Sequence, residues 1–254
     1  RGFLLPAKLE FKPLIAGDLN RKPVVIAIDT ETYAKNGNLI CIANSKDSEV
    51  LTGTVEKQPT IDEYFNYLGR LTKIKGNVCF FAYNLKFDAS IILKTLSVDM
   101  RKFYENEFEL MTESGIKIKY LNKKCLSFSK GKTTINIFDA LQYFIGAGEN
   151  GGSSLDSVAK AYLGAQKEYT GKYQNKVFPD YIEQKELIQI IDYCRLDCQL
   201  TAQLIDIWIE SFFKNFGFYP NKFYSAGFVS VLVMRTKLNE FYTFRNTPFT
   251  IQQL

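Results

Sequence analysis

The 254-residue chain has no histidine, five cysteines and a net charge of +5. Without histidine, Ser-His-Asp and Cys-His catalysis and the usual zinc sites are excluded; any metal must rest on carboxylates, whose hard oxygens favour Mg²⁺ or Mn²⁺. The 46% hydrophobic content suffices for the core of one good-sized domain, while no run reaches the roughly 18–20 apolar residues that cross a bilayer, so no membrane partner is expected.

Cys41, Cys79, Cys125, Cys194 and Cys198 make no Cys-x-x-Cys pair and read as buried thiols. They fit a reducing intracellular compartment such as cytoplasm, nucleoid or mitochondrion. No signal peptide is visible, and the chain begins at Arg1 rather than Met, as a fragment or processed form would. The mild basicity suits a partner that carries phosphates.

Residues 1–23 carry Pro6, Pro13 and Pro23 and little periodicity, and read as an N-terminal arm. Val24–Ile28 is a β-branched apolar run, as expected of a strand buried on both faces. The Asn36-Gly37-Asn38 turn leads into strands at Leu39–Ala43 and Glu49–Gly53. Thr60 or Asp62 caps a helix to about Thr72, with Tyr64, Phe65, Leu68 and Leu71 inward. Val78–Ala82 is a second buried strand, and Asp88–Leu96 the next helix. Two hairpins follow, Phe108–Leu126 and Ser127–Ile137, with Phe138–Phe144 ending a strand. Gly146–Gly152 reads as a flexible loop, Ser153–Leu163 as a short helix and Gly164–Pro179 as a basic loop. A long amphipathic helix at Glu183–Phe216 and a last helix near Asn221–Phe241 complete an α/β pattern with a mixed sheet.

Carboxylates fall at the element ends. Asp29 and Glu31 follow the first strand and, two apart, share a face if the strand continues. Such like charges are unfavourable together unless a cation sits between them. Asp88 stands where the second buried strand hands over to a helix, a position also suited to an N-cap. Asp197 lies near the inward stripe of Ile190, Ile191, Leu200 and Leu204, with Tyr193 one turn earlier on the same face. Taken singly, Asp29 and Glu31 read about equally as solvated turn residues, Asp88 as an N-cap and Asp197, less readily, as a solvated edge residue. Together they suit two divalent ions about 3.5–4 Å apart, which hydrolyse a phosphodiester by generating hydroxide and stabilising the leaving 3′-oxygen. The Tyr193 phenol is suited to orienting the attacking water.

The three segments Asp29-Thr30-Glu31, Asn84-Leu85-Lys86-Phe87-Asp88 and Tyr193-Cys194-Arg195-Leu196-Asp197 resemble the Exo I, Exo II and Exo III motifs of the DnaQ-like 3′–5′ exonucleases of the Tyr-bearing DEDDy class. The resemblance runs from about Val24 to Trp208 and is closest to the proofreading domain of family B DNA polymerases, in particular the protein-primed phage and plasmid type. It implies an RNase H-like fold, a mixed sheet flanked by helices. It implies an exonuclease domain over residues 24–216 and, over 217–254, a helical connection toward a polymerase palm. Asp29, Glu31, Asp88 and Asp197 would hold two Mg²⁺ or Mn²⁺ ions, and Tyr193 would position water. Thr32, Asn84, Phe87 and Leu141 would contact the terminal nucleotides of a single-stranded DNA 3′ end. Lys167 matches a catalytic lysine of the protein-primed enzymes, and reads equally as a solvated loop residue beside Lys160 and Lys172. The implied partners are the DNA strand, a polymerase domain in cis or its remnant, and a terminal protein primer.

One departure is Ala140, in Phe138-Asp139-Ala140-Leu141, where the protein-primed members of that family usually carry Ser after the Asp. Asp139 is either a further acid near the site or structural. Gly131-Lys132-Thr133 lacks the preceding Gly of a phosphate-binding loop and reads as a hairpin turn. No Asp-Thr-Asp polymerase motif occurs. Two other readings stay open: a stand-alone exonuclease acting on DNA or RNA, and a non-catalytic module of this fold within a larger assembly.

Overall fold

The computed structural model describes residues 19–96, 107–165, 172 and 177–246. Its elements are β1 (Val24–Thr32), β2 (Leu39–Asn44), β3 (Leu51–Thr52), α1 (Ile61–Leu71), β4 (Val78–Ala82), α2 (Leu85–Lys94), β5 (Glu107–Met111), β6 (Lys117–Leu121), β7 (Cys125–Lys130), β8 (Thr133–Asp139), α3 (Leu155–Leu163), α4 (Gln184–Phe216) and α5 (Ala226–Asn246). The strands form one sheet in the order β3-β2-β1-β4-β8-β7-β6-β5. β1, β4 and β8 run parallel side by side, and the remaining pairings are antiparallel. This is a mixed α/β sheet flanked by helices, the RNase H-like arrangement.

The continuous apolar run of β1 reflects cover on both faces. Ile26 and Ile28 pack with Tyr64, Leu68 and Ile92 beneath α1 and α2. Val25 packs with Phe81, Leu204 and Ile209, and Ala27 with Cys194 and Cys198, on the α4 face. Each fully buried residue of this size contributes about 1.5–3 kcal/mol, which is why strands in this position hold no polar residue until they near the sheet's end. Among the described residues, no helix is long and apolar enough to cross a membrane. All five cysteines are buried and free.

Several boundaries differ from the sequence expectation. β1 runs on through Asp29 and Glu31 to Thr32, because pairing with β2 continues there, with a register irregularity between Glu31 and Thr32. The third strand shrinks to Leu51–Thr52. α2 begins at Leu85, not Asp88; its N-cap is Asn84 in the left-handed region, φ 64° and ψ 57°, a conformation that asparagine tolerates better than most residues. Asp88 is therefore inside the first turn and not the cap. The two expected hairpins form a four-stranded meander, since β6 also pairs with β7. The chain after β8 leaves the sheet at Asp139 and enters a 3-10 turn over Leu141–Tyr143.

The Gly146–Gly152 segment is not an open loop. It contains a 3-10 turn at Glu149–Gly151, and Gly148 and Gly152 lie so close to Ser157 that an added Cβ would collide. α5 starts at Ala226, five residues later than expected, after an N-terminal turn in which the Ser225 hydroxyl accepts from the Phe228 amide at 3.0 Å. Thr60, not Asp62, caps α1, through a capping box with Glu63, and Ser154 caps α3. The arm of residues 1–23 lies outside the described residues up to position 18; Leu19 packs with Phe212, Phe218 and Val229.

Candidate active site

Side-chain alternation along β1 decides which group faces which layer. Odd-numbered residues face α4 and even-numbered residues face α1 and α2. Asp29 and Glu31 therefore point to the α4 side, where Asp197 stands one turn after Tyr193. One carboxylate oxygen from each of Asp29, Glu31 and Asp197 lies within 4.8 Å of the others. Asp29 and Glu31 are half-buried and Asp197 is buried. The donor set is all hard oxygen, so this cluster can hold a divalent cation.

Asp88 is not one of these three. It is buried on α2, behind the end of β1, and Thr30 Oγ1 donates to its Oδ1 at 2.8 Å. It nonetheless belongs to the same field: burial pushes the Asp29 carboxyl well above its ordinary range, and the charges of Asp88, Glu31 and Asp197 push it the same way. Asp88 is itself pushed up to about 8, chiefly by burial, against which the Thr30 hydrogen bond works. Carboxyls so crowded and desolvated favour either a proton or a cation among them.

Tyr193 is buried, and its phenol hydrogen-bonds to the Asp197 carboxylate from one turn away. Burial and the nearby acids push the phenol's pKa up and so favour its protonated, hydrogen-bond-donating form. Cys194 donates its thiol to the backbone carbonyl of Asp29 at 3.2 Å, fastening α4 to β1 beside the cluster.

Asn84 and Phe87 are exposed at the start of α2, and Phe87 keeps 45% of its surface. The left-handed Asn84 has no side-chain cap bond, so its amide stays available to solvent. Leu141 is half-buried in the 3-10 turn after β8. Thr32 is half-buried at the irregular end of β1. Lys167 lies outside the described residues. Lys160 pairs with Glu149 at 2.8 Å, and Lys172 lies 3.9 Å from Glu183.

Two further residues contribute, one with no expected role and one, Asp139, expected either as a further acid near the site or as structural. One is Thr30, whose parity on β1 places it opposite its acidic neighbours, but whose partner is 58 positions away. The other is Asp139, buried at the end of β8, which accepts from the backbone N–H of Leu141 at 3.0 Å and whose charged form is also favoured by the backbone N–H groups of Leu85 and Asn84. Burial pushes its carboxyl up to about 6, and these hydrogen bonds oppose that rise. Ala140 is fully buried and brings no hydroxyl to the site.

No protein-family model matches the chain. No curated protein matches it. Among solved structures, it is similar to phi29 DNA polymerase complexed with primer-template DNA and incoming nucleotide substrates, at 16% sequence identity and a TM-score of 0.34. That alignment covers 74% of this chain and 30% of the polymerase chain.

Proposed function

We propose that this chain is a DnaQ-like 3′–5′ exonuclease domain of the DEDDy class, acting as the proofreading domain of a family B, protein-primed type of DNA polymerase. The observation that carries this reading is the meeting of Asp29, Glu31 and Asp197 within 4.8 Å at the carboxyl end of a central parallel strand. In open α/β sheets that end is where ligands bind. The motif order and the hydrogen-bonded Tyr193–Asp197 pair add to it.

In this reading Asp29, Glu31 and Asp197 are the direct ligands of divalent ions, Mg²⁺ or Mn²⁺, with Asp88 completing the acidic set. The chemistry that two such ions supply when bound is hydroxide at neutral pH and stabilisation of the leaving 3′-oxygen. Tyr193 supplies a phenolic donor that orients the water, its protonated form favoured by burial and the neighbouring acids. Phe87 offers a face on which a terminal base stacks, and Asn84 amide hydrogen bonds. Thr32 and Leu141 flank the same end of the sheet. Lys167 is assigned to the scissile phosphate, where a cation offsets developing charge. A polymerase domain in cis and a terminal protein primer belong to this proposal.

The product distinguishes this reading from its rivals. A purified chain given Mn²⁺ should shorten a 5′-labelled single strand stepwise and release 5′-nucleoside monophosphates, with DNA preferred over RNA. An RNA preference would point to a stand-alone ribonuclease, and a folded chain that binds strands without cutting them to a non-catalytic module.

A further inference from the structure

We infer that Asp139 is the positioning residue that sets the 3′-end-binding turn against the metal-binding carboxylates, an inference that rests on the exonuclease reading above. The row Ile28–Ala82–Asp139 runs straight across the three parallel strands β1, β4 and β8. Asp139 therefore stands level with the residue before Asp29, two strands away, a span of about 10 Å. Ile137 packs on the α1/α2 side of the sheet and Phe138 on the other, so Asp139 faces α2.

What it meets there is a helix start with no cap of its own. A helix leaves its first N–H groups without intrahelical partners, and Asn84, held left-handed, gives no side-chain cap. Asp139 faces this helix start from outside, and the backbone N–H groups of Leu85 and Asn84 favour its charged form, as expected of an anion at a helix N-terminus. The same carboxylate takes the Leu141 N–H at 3.0 Å. One buried group thus stands between the two segments whose side chains are assigned to the DNA end. Thr30 grips the same helix one turn further on, through Asp88. The helix start is held at two points, from β1 and from β8. Asp139 touches neither the reacting phosphate nor the three clustered acids in this arrangement; it acts through Asn84, Phe87 and Leu141.

The test is steady-state hydrolysis of a 3′-terminal single strand by Asp139→Asn, with strand affinity measured separately by fluorescence anisotropy in EDTA. The amide keeps the size but presents an NH₂ toward backbone N–H donors. KM and the EDTA dissociation constant are both expected to rise about ten-fold, the effect of losing one charge-assisted hydrogen bond, with kcat within about two-fold. The effect should be non-additive with Asn84→Ala, because Asp139 acts through that residue. Ile137→Val on the same strand loosens the core without touching the turn and should leave KM unchanged. If Asp139→Asn does not fold, Asp139→Glu, which keeps the charge and overreaches the turn, carries the same expectation. Wild-type KM and affinity in the folded variant, or a loss of kcat alone, would overturn the inference. Absence of hydrolysis by the wild-type chain would instead overturn the exonuclease reading.

Discussion

Thr30 Oγ1 donates a 2.8 Å hydrogen bond to Asp88 from the middle of the sequence Asp29-Thr30-Glu31. The strand sends its two acids to one side and uses the residue between them to hold a third acid on the other side. Thr30→Val keeps the shape and removes the donor. It should lower stability by about 1–3 kcal/mol, the cost of leaving a buried polar group unsatisfied, and reduce exonuclease turnover. Urea denaturation and a rate assay on the same preparation check both. Unchanged stability and rate would mean that Asp88 is held by other contacts.

Metal should stabilise the fold through the three clustered acids. A ligand at 100 times its dissociation constant adds about 2.7 kcal/mol. Mn²⁺ should therefore raise the melting temperature of the wild-type chain and leave that of Asp29→Ala unmoved. In EDTA the ranking should reverse or level, since Asp29→Ala relieves a crowded, desolvated carboxyl. Equal Mn²⁺ responses in both proteins would place the metal elsewhere.

Tyr193 should matter by its donor and not as a base. Tyr193→Phe removes one hydrogen bond to a carboxylate, worth about 1.5–3 kcal/mol, and should slow turnover about 10- to 100-fold without abolishing it. The slope of rate against pH should be the same in both proteins. A changed pH profile would assign the phenol a proton-transfer role.

Phe87 keeps 45% of its surface although large and apolar, so removing it should leave stability within about 0.5 kcal/mol. Phe87→Ala should weaken single-strand binding by about 1–3 kcal/mol, the value of one base–aromatic stack. Anisotropy with a labelled strand in EDTA reads this directly. A loss of stability with no loss of binding would make the ring a packing group.

Acid stability should depend on a site remote from the cluster. Arg70 on α1 holds the Asp47 carboxyl down to about 2, helped by Asn44 and by the Glu49 N–H. A depressed folded-state pKa adds stability that is present above the unfolded value of 3.8 and is lost as pH falls toward 2. Asp47→Asn should therefore lower stability at neutral pH and flatten its fall between about pH 4 and pH 2. Parallel curves for both proteins would show the pair to be screened by solvent.

The sequence was most informative where pattern alone carries the physics. Val24–Ile28 and Val78–Ala82 are apolar without interruption because helices cover both faces, and this marked the central parallel strands. Asp29, Glu31 and Asp197 were identifiable because acids beside apolar stripes need a reason. Parity along β1 was also available, but Thr30's partner was not, since nothing local ties residue 30 to residue 88. The start of α2 was missed for a related reason. Asn84 caps without its side chain, and the carboxylate that faces the helix's first N–H groups, Asp139, arrives from a strand more than fifty positions later. The glycines at 146–152 read as looseness, whereas Gly148 and Gly152 are small because Ser157 leaves no room for a side chain.

In the proposed reading, the acidic cluster on β1 and α4 hydrolyses DNA from the 3′ end. The most direct measurement is digestion of a 5′-labelled single strand by the wild-type chain and by Asp29→Ala, in Mg²⁺, in Mn²⁺ and in EDTA. A metal-dependent ladder shortening from the 3′ end with the wild type, absent in EDTA and absent from a folded Asp29→Ala, is the predicted result. Full activity in Asp29→Ala, or no cleavage by the folded wild-type chain in either metal, would contradict it.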